Sequence, residues 1–292
     1  MADSLIDLIK VLRERTGAGL MDCKGALLAN DCDLDKAGDW LREKGLAKAA
    51  KKADRIAAEG LALAVKCNKC TCGTTVVIEV NCETDFVAKG EAFHDLVESV
   101  ARVILEKRPA TVEEAKALTE GLFTDATVKM GEKFDLRRFE ILEKGNGIIG
   151  SYIHMGGKIA VGLVAEGADE ELAKQLAMHI AANNPQYLKL EDVPAEIREH
   201  EMQIQKEAAK TDEKLANKPA PVLEKILEGK INKYFSEMAL ESQPFLLDDS
   251  KTVGQVLLEK KVKINKFVRY QVGEGIEKRK DDFASEVMAQ SK

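Results

Sequence analysis

A chain of 292 residues is long enough for two or more domains, each with its own hydrophobic core. Its 44 Lys and Arg residues against 50 Asp and Glu residues give a net charge of −6 without a long run of one sign. This balance argues against a nucleic acid or a membrane surface as the main partner. The absence of a basic leader and of an apolar run near the roughly 18 residues of a membrane span predicts a cytoplasmic protein with reduced cysteines.

Three short helices are predicted at the N-terminus. Apolar residues at helical spacing indicate helices from Ser4 to Arg15, from Leu20 to Asn30 and from about residue 34 to Lys44. Gly45 is the expected C-cap of the third helix. A bundle this small is typical of a binding module, and its pattern resembles the ubiquitin-associated type. The basic, alanine-rich stretch that follows, Lys48 to Arg55, is interpreted as a solvated helical linker, with contact to an acidic partner surface as the alternative.

The stretch from Asn81 to Lys89, which reads NCETDFVAK, is the most informative about function. It lies between a β-branched run, Thr75 to Val80, that predicts a buried strand, and an amphipathic helix that includes Phe93. Loops between a strand and a helix often carry binding groups on a rigid scaffold. Phe86 in this polar loop is therefore either a satellite of the local core or an apolar side chain meant for a partner's pocket.

An internal near-repeat favours the second interpretation of Phe86. Residues 157–164 and 171–182 have the same order of strand, loop and helix as residues 76–102. The two helices align by pairing Leu96 with Leu176, whereas the strands align with a larger shift, so the first copy has extra residues in its loop. The second loop has no aromatic residue, so we expect Phe86 to point outward and the core to consist of two similar halves.

The cysteine-rich turn at residues 67–72 is expected to join two strands rather than to bind zinc. A structural zinc site needs four ligands, and the turn offers Cys67, Cys70 and Cys72. Cys82 lies past the far end of the following strand, too far to complete the site.

A glycine-rich string, Gly145 to Gly150, matches the dinucleotide-binding fingerprint as letters alone. It leads into a strand-like run at Ser151 to His154, where a nucleotide-binding turn would have to open a helix. We interpret it as a hairpin turn. It is preceded by a predicted helix from Pro109 to Lys129 and a predicted strand from Phe134 to Glu143.

The chain becomes helical and highly charged from Val193 to Ala239. Apolar residues recur along two arms on either side of Lys218 to Pro221, which predicts an antiparallel helical hairpin. A helix from Thr252 to Lys260, a strand from Ile264 to Val272 and a terminal helix from about Asp281 to Gln290 are expected to follow.

Two long stretches, Leu12 to Lys24 and Glu79 to Lys89, closely resemble the signature sequences of the bacterial translation elongation factor Ts family. Gln243 to Phe245, Thr252 to Gln255 and Val272 to Glu277 extend the resemblance over nearly the whole chain. Two departures are Leu20 beside Met21, where the family usually has two methionines, and the cysteine-rich turn.

The resemblance implies an α+β fold. Its expected parts are an N-terminal three-helix ubiquitin-associated-like module, a core of two similar α/β subdomains with antiparallel sheets, an inserted antiparallel coiled-coil hairpin and a C-terminal helix. The expected boundaries are 1–55 for the module with its linker, 56–140 for the first subdomain, 141–192 with 240–275 for the second, 193–239 for the hairpin and 276–292 for the C-terminal helix.

The function implied by the resemblance is guanine nucleotide exchange in translation elongation. Such a factor binds the GTPase elongation factor Tu with GDP, displaces Mg²⁺ and promotes GDP release so that GTP can bind. By position, the stretch that displaces Mg²⁺ would be Thr84, Asp85, Phe86 and Val87. Further partner contacts would come from Arg13, Leu20, Met21 and Lys24 in the N-terminal module and from His154 in the second subdomain. The resemblance implies no cofactor, no bound metal and no direct contact with nucleic acid, and it leaves a homodimer open.

Three other classes of function compete with this interpretation. Catalysis is not expected, because the four histidines are scattered over different elements and no nucleophile elbow, phosphate-binding loop or zinc-protease motif occurs. A metal or redox module would depend on the three cysteines of the turn. A ubiquitin-type adaptor would depend on the N-terminal bundle.

Overall fold

The N-terminal module is the first unit of the computed structural model, which describes residues 4–52, 54–67, 73–211 and 219–277. Its helices are α1 (Leu5–Thr16), α2 (Leu20–Ala29) and α3 (Leu34–Lys51). Their apolar faces meet in a small core that includes Leu12, Leu27 and Leu41. Helix α1 ends where Gly17 adopts the left-handed conformation, with φ of 67°. The module therefore has the three helices expected from the sequence.

The third helix corrects two predictions. Gly45 lies inside α3 and is not its C-cap, and the predicted linker begins as the last turns of the same helix. The reason is a close approach to a later helix, since a Cβ atom at Gly45 would lie 2.3 Å from Cγ2 of Val128. The glycine thus permits tight packing between helices instead of ending one.

The first core sheet has the antiparallel order β1-β2-β3, with β1 at Glu59–Lys66, β2 at Thr74–Cys82 and β3 at Asp135–Glu143. One face of this sheet is covered by α5 (Glu91–Lys107) and α6 (Val112–Met130). Every residue of the central strand β2 is buried. This explains the apolar run from Val76 to Ile78, because a strand covered on both faces needs no polar alternation.

The second core sheet has the antiparallel order β4-β5-β8, with β4 at Ile148–His154, β5 at Ile159–Glu166 and β8 at Lys263–Gln271. Helix α7 (Glu170–Asn183) and helix α10 (Val253–Lys260) pack against it. A two-stranded sheet is formed by β6 and β7, and its residues are Pro244–Phe245 and Asp248–Thr252.

The two sheets pack face to face through Ala62, Val77, Leu142, Ala160 and Val164. The described part of the chain is therefore of mixed helix and antiparallel sheet, an α+β arrangement.

The strand-to-helix connection differs between the two halves of the core. In the first half a short helix, α4 (Asp85–Ala88), lies between β2 and α5. In the second half the chain passes from β5 to α7 without such an element. The extra residues inferred from the near-repeat are thus those of α4, and Leu96 and Leu176 are both buried on the following helices.

The glycine-rich segment after residue 144 is not a hairpin turn, contrary to the sequence prediction. It connects β3 to β4, and these strands belong to different sheets. It does lead into a strand, so it does not form a dinucleotide-binding turn. The expected boundary at residue 140 falls inside β3, which ends at Glu143.

The two predicted helical arms are α8 (Ala195–Thr211) and α9 (Ala220–Ser236). They pack through small clusters, one of Val193, Ile231 and Phe235 and another of Ala209 and Leu227. The predicted terminal helix, as well as Cys70 and Cys72 of the cysteine-rich turn, lie outside the described residues.

A buried carboxylate joins the two sheets. Glu79 of β2 is fully buried. Its Oε1 accepts hydrogen bonds from Arg137 Nη1 at 3.0 Å and from the backbone N–H of Gly273 at 2.9 Å. Its Oε2 accepts a bond from Arg138 Nε at 2.6 Å. Because Gly273 follows β8 and the arginines lie on β3, this cluster fixes the end of the second sheet to the first.

A buried histidine holds the residues on both sides of β6 in the second half. The Nδ1 atom of His179 on α7 accepts a hydrogen bond from the N–H of Leu246 at 3.2 Å. Its Nε2 lies 2.9 Å from Gln243 Oε1 and therefore carries the hydrogen of a neutral ring. Burial lowers the pKa of His179 below its ordinary value, and the hydrogen bond to Gln243 opposes this shift.

Candidate partner-binding site

Helix α4 carries the residues that the sequence singled out. It begins after Thr84, whose extended backbone makes it the N-cap and whose Oγ1 accepts a hydrogen bond from the N–H of Val87 at 3.4 Å. Ala88 is buried and Val87 is partly buried against the core of the first sheet. The helix is therefore held by one side and presents the other to solvent.

Phe86 lies on the exposed side of α4. Its side chain is 85% exposed, more than any other described large hydrophobic residue. An exposed phenylalanine gains little from the fold of its own chain, and its side chain is accessible to another molecule. The outward direction of Phe86 expected from the near-repeat is confirmed.

Asp85 is paired within the same helix. Its Oδ2 accepts a hydrogen bond from Lys89 Nζ at 2.7 Å. This bond is the main reason that the pKa of Asp85 is lowered, and the pKa of Lys89 is raised for the same reason. The charge of Lys158, in the turn after β4, also lowers the pKa of Asp85. The ion pair of Asp85 with Lys89 thus stabilises α4, and Asp85 remains ionised at neutral pH.

Sequence reasoning missed Glu132, which contacts the start of α4. Its Oε2 accepts hydrogen bonds from the N–H groups of Glu83 at 3.0 Å and Thr84 at 3.1 Å, and its Oε1 accepts one from Thr84 Oγ1 at 2.5 Å. Glu132 follows α6 and is separated from Thr84 by 48 residues. No local pattern signals such a contact.

The N-terminal residues carried over from the resemblance lie at the surface of the module. Leu20 is 53% and Met21 is 72% exposed at the start of α2, and Lys24 follows one turn later. Arg13 is exposed in the last turn of α1. Residues three and four apart on a helix share a face, so Leu20, Met21 and Lys24 form one apolar and basic patch.

His154 ends β4 in the second sheet and is partly buried. Its Nδ1 lies 3.3 Å from the hydroxyl of Tyr152. The turn that follows is tied to the first sheet, because Gly157 O accepts a hydrogen bond from the N–H of Ala62 at 2.7 Å. In the same turn, Lys158 Nζ contacts Glu59 Oε2 at 2.6 Å. His154 is thus held in a fixed relation to the strand that neighbours β2 and α4.

The chain is similar to known proteins over almost its entire length. The family model described as Elongation factor TS matches residues 83–274. Proteins named Elongation factor Ts from two strains of Limosilactobacillus reuteri are each 48% identical over 298 aligned positions, which cover 99% of this chain and 99% of the relative. The chain belongs to the elongation factor Ts family. Membership in this family makes it a nucleotide exchange factor of protein biosynthesis and not an enzyme, and it implies elongation factor Tu as the partner.

Two further observations concern alternatives raised by the sequence. In the ranges that the structure describes, no helix is long and apolar enough to span a membrane. Over the same ranges, no three His, Cys, Asp or Glu side chains are grouped so that they could hold a metal ion. The zinc prediction for the cysteine-rich turn is not tested by this result, because Cys70 and Cys72 are outside those ranges.

Proposed function

We propose that this protein binds elongation factor Tu carrying GDP, displaces the Mg²⁺ of the GTPase with the segment Thr84 to Val87, and so promotes GDP release and GTP binding. The observation that supports this mechanism best is the exposure of Phe86 on a short, braced helix. Bound Mg²⁺ bridges the nucleotide phosphates and the protein and neutralises their charge. Displacement of Mg²⁺ weakens the binding of GDP to the GTPase without any contact between the factor and the guanine base.

Phe86 acts as an apolar wedge in this proposal. Burial of a phenylalanine side chain gains about 1.5–3 kcal/mol. The wedge gains this energy only if two helices of the GTPase move apart, and that movement shifts the groups that hold the metal. Binding of the factor and of GDP then oppose each other, because coupling between two ligands is reciprocal.

The wedge needs binding energy from other surfaces. Each tenfold acceleration requires about 1.4 kcal/mol, so one side chain cannot supply an effect of many decades. We assign the additional contacts to the patch of Arg13, Leu20, Met21 and Lys24 and to His154. Asp85 supports the shape of α4 through Lys89.

The architecture proposed for this function follows the family. We propose that residues 1–55 form the ubiquitin-associated-like module, that the core has two similar subdomains and that the two arms within 193–239 form a coiled-coil hairpin; the helix expected at 276–292 lies almost entirely outside the described residues. We propose that the protein acts in the cytoplasm and without a cofactor. The hairpin is a charged insertion that does not carry the exchange function.

The test is the release of fluorescent GDP from elongation factor Tu in excess Mg²⁺, with and without this protein. Acceleration at catalytic amounts of the protein is expected when excess unlabelled GDP is present, because rebinding of nucleotide to the GTPase frees the factor for another round. A release rate that stays the same over a wide range of added protein would overturn the proposed function.

A further inference from the structure

The position of Phe86 depends on groups outside its own helix. Helix α4 has only four residues, and so short a helix is not stable by itself. Val87 and Ala88 attach it to the core below. The direction in which α4 leaves β2 is set just before it, at Glu83 and Thr84, and both of these residues bond to the carboxylate of Glu132.

Glu132 acts on the helix start in two ways. Its Oε2 receives two successive backbone N–H groups, those of Glu83 and Thr84, which fixes the path of the chain between β2 and α4. Its Oε1 receives the hydroxyl hydrogen of Thr84 at 2.5 Å. That bond fixes the rotation of the hydroxyl, so that an oxygen lone pair is free to accept the N–H of Val87 and cap α4. Hydrogen bonds to a charged acceptor are about twice as strong as neutral ones.

The contact is reciprocal. The Oε1 atom of Glu83 accepts a hydrogen bond from the N–H of Lys133 at 2.7 Å, while its Oε2 pairs with Arg55 Nη1 at 3.1 Å. In each of the two neighbouring segments, a side-chain carboxylate therefore accepts hydrogen bonds from backbone N–H groups of the other segment. Neither segment can shift along the other without breaking charge-assisted bonds.

The segment that includes Glu132 also contacts the N-terminal module. Lys52, just beyond α3, donates a hydrogen bond to the carbonyl of Gly131, and Lys133 Nζ donates one to the carbonyl of Arg55 at 2.8 Å. Helix α6, which leads into this segment, packs against α3 at Gly45 and Val128. The turn at Gly131 to Lys133 thus contacts both the module that carries Leu20 and Met21 and the segment that carries Phe86.

We propose that Glu132 is a positioning residue for nucleotide exchange: it fixes the direction of Phe86 relative to the N-terminal module, so that both surfaces engage one GTPase at the same time. This proposal rests on the proposed function. A wedge that is displaced by a small distance loses much of its effect, because its gain depends on entering between packed helices.

The test uses the full chain and elongation factor Tu loaded with fluorescent GDP in excess Mg²⁺. Glu132→Ala removes all three acceptor contacts, and Glu132→Gln retains the shape but loses the charge. The matched control is Glu120→Ala, an exposed glutamate on α6. We expect Glu132→Ala to lower the maximal rate of GDP release about tenfold, equivalent to about 1.4 kcal/mol. Glu132→Gln should have a smaller effect, and Glu120→Ala should match the parent protein.

A double-mutant cycle with Phe86→Ala separates positioning from general stability. If Glu132 acts through Phe86, adding Glu132→Ala to Phe86→Ala should cause no further loss of rate. The concentration of factor at half-maximal rate should change little, because the other contact surfaces are intact. Amide hydrogen exchange of the free protein should show faster exchange at Glu83 and Thr84 in Glu132→Ala.

Other outcomes would contradict the positioning role of Glu132, the wedge role of Phe86 or the proposed function. A full additional loss in the Phe86→Ala background, or normal GDP release despite faster amide exchange, would show that Glu132 is only structural and would overturn the proposal. Loss of rate in Glu132→Ala but not in Phe86→Ala would overturn the wedge and its positioning together. A parent protein that does not accelerate GDP release would refute the proposed function itself, whatever the variants do.

Discussion

Truncation of Phe86 separates a role in binding from a role in folding. The side chain is 85% exposed, so Phe86→Ala removes few contacts and should change the free energy of unfolding by less than about 0.5 kcal/mol. The matched control is Phe93→Ala on α5. Phe93 is fully buried and stacks on Phe134 with ring centroids 5.6 Å apart, so the same truncation there should cost about 3–5 kcal/mol.

The effect of Phe86→Ala on exchange follows from the burial that the wedge loses. A contribution of about 1.5–3 kcal/mol to the displaced state corresponds to roughly 10- to 150-fold slower GDP release. The assay is the release of fluorescent GDP from elongation factor Tu at saturating factor, with thermal unfolding measured on the same samples. The loss should shrink when Mg²⁺ is removed by a chelator, because the displacement of the metal is then no longer limiting.

Three results would each refute a part of this reasoning. Phe86→Ala that exchanges at the parent rate in excess Mg²⁺ would exclude the wedge. Phe86→Ala that unfolds with a midpoint as low as that of Phe93→Ala would show that the side chain supports the core after all. A loss of equal size with and without Mg²⁺ would place Phe86 in binding but remove the metal from its role.

Three further predictions concern the scaffold. Glu79→Ala should lower the free energy of unfolding, measured by urea titration, by about 3–5 kcal/mol, because it leaves two arginines without their buried carboxylate. The control Glu143→Ala, which removes an exposed ion pair, should lower it by at most about 1 kcal/mol. The lowered pKa of His179 means that the folded state binds its proton less readily than the unfolded state, so stability should be complete above the unfolded value of about 6.5 and should fall at lower pH. In His179→Gln, thermal midpoints measured against pH should lose this component, and an unchanged profile would contradict the assignment. Replacing Ala195–Ser236 with a flexible linker should leave GDP release largely intact. The residues nearer the core are retained, because the N–H of Gln186 donates a hydrogen bond to the carbonyl of Met238 at 2.8 Å. A folded variant without exchange activity would disprove this prediction.

The local sequence pattern was sufficient to predict most of the helices and strands and the outward direction of Phe86. Helical and strand periodicity depends on which residues of one segment face the core, and that information lies within a few neighbouring positions. Comparison of the two loops also indicated that Phe86 was not needed to close the core. These predictions succeeded because each concerns a single segment and the side of it that is buried.

Contacts between distant residues were decided only by the tertiary structure. Gly45 has the local features of a helix end, yet it lies within α3 because Val128 packs against it. The segment after β3 has the features of a hairpin turn, yet its two strands pair with partners in different sheets. The Thr84 hydroxyl donates to Glu132 across 48 residues of sequence, and nothing near either residue specifies the other. Sequence patterns determine which side of a segment is buried, whereas the identity of the group it meets depends on how the whole chain packs.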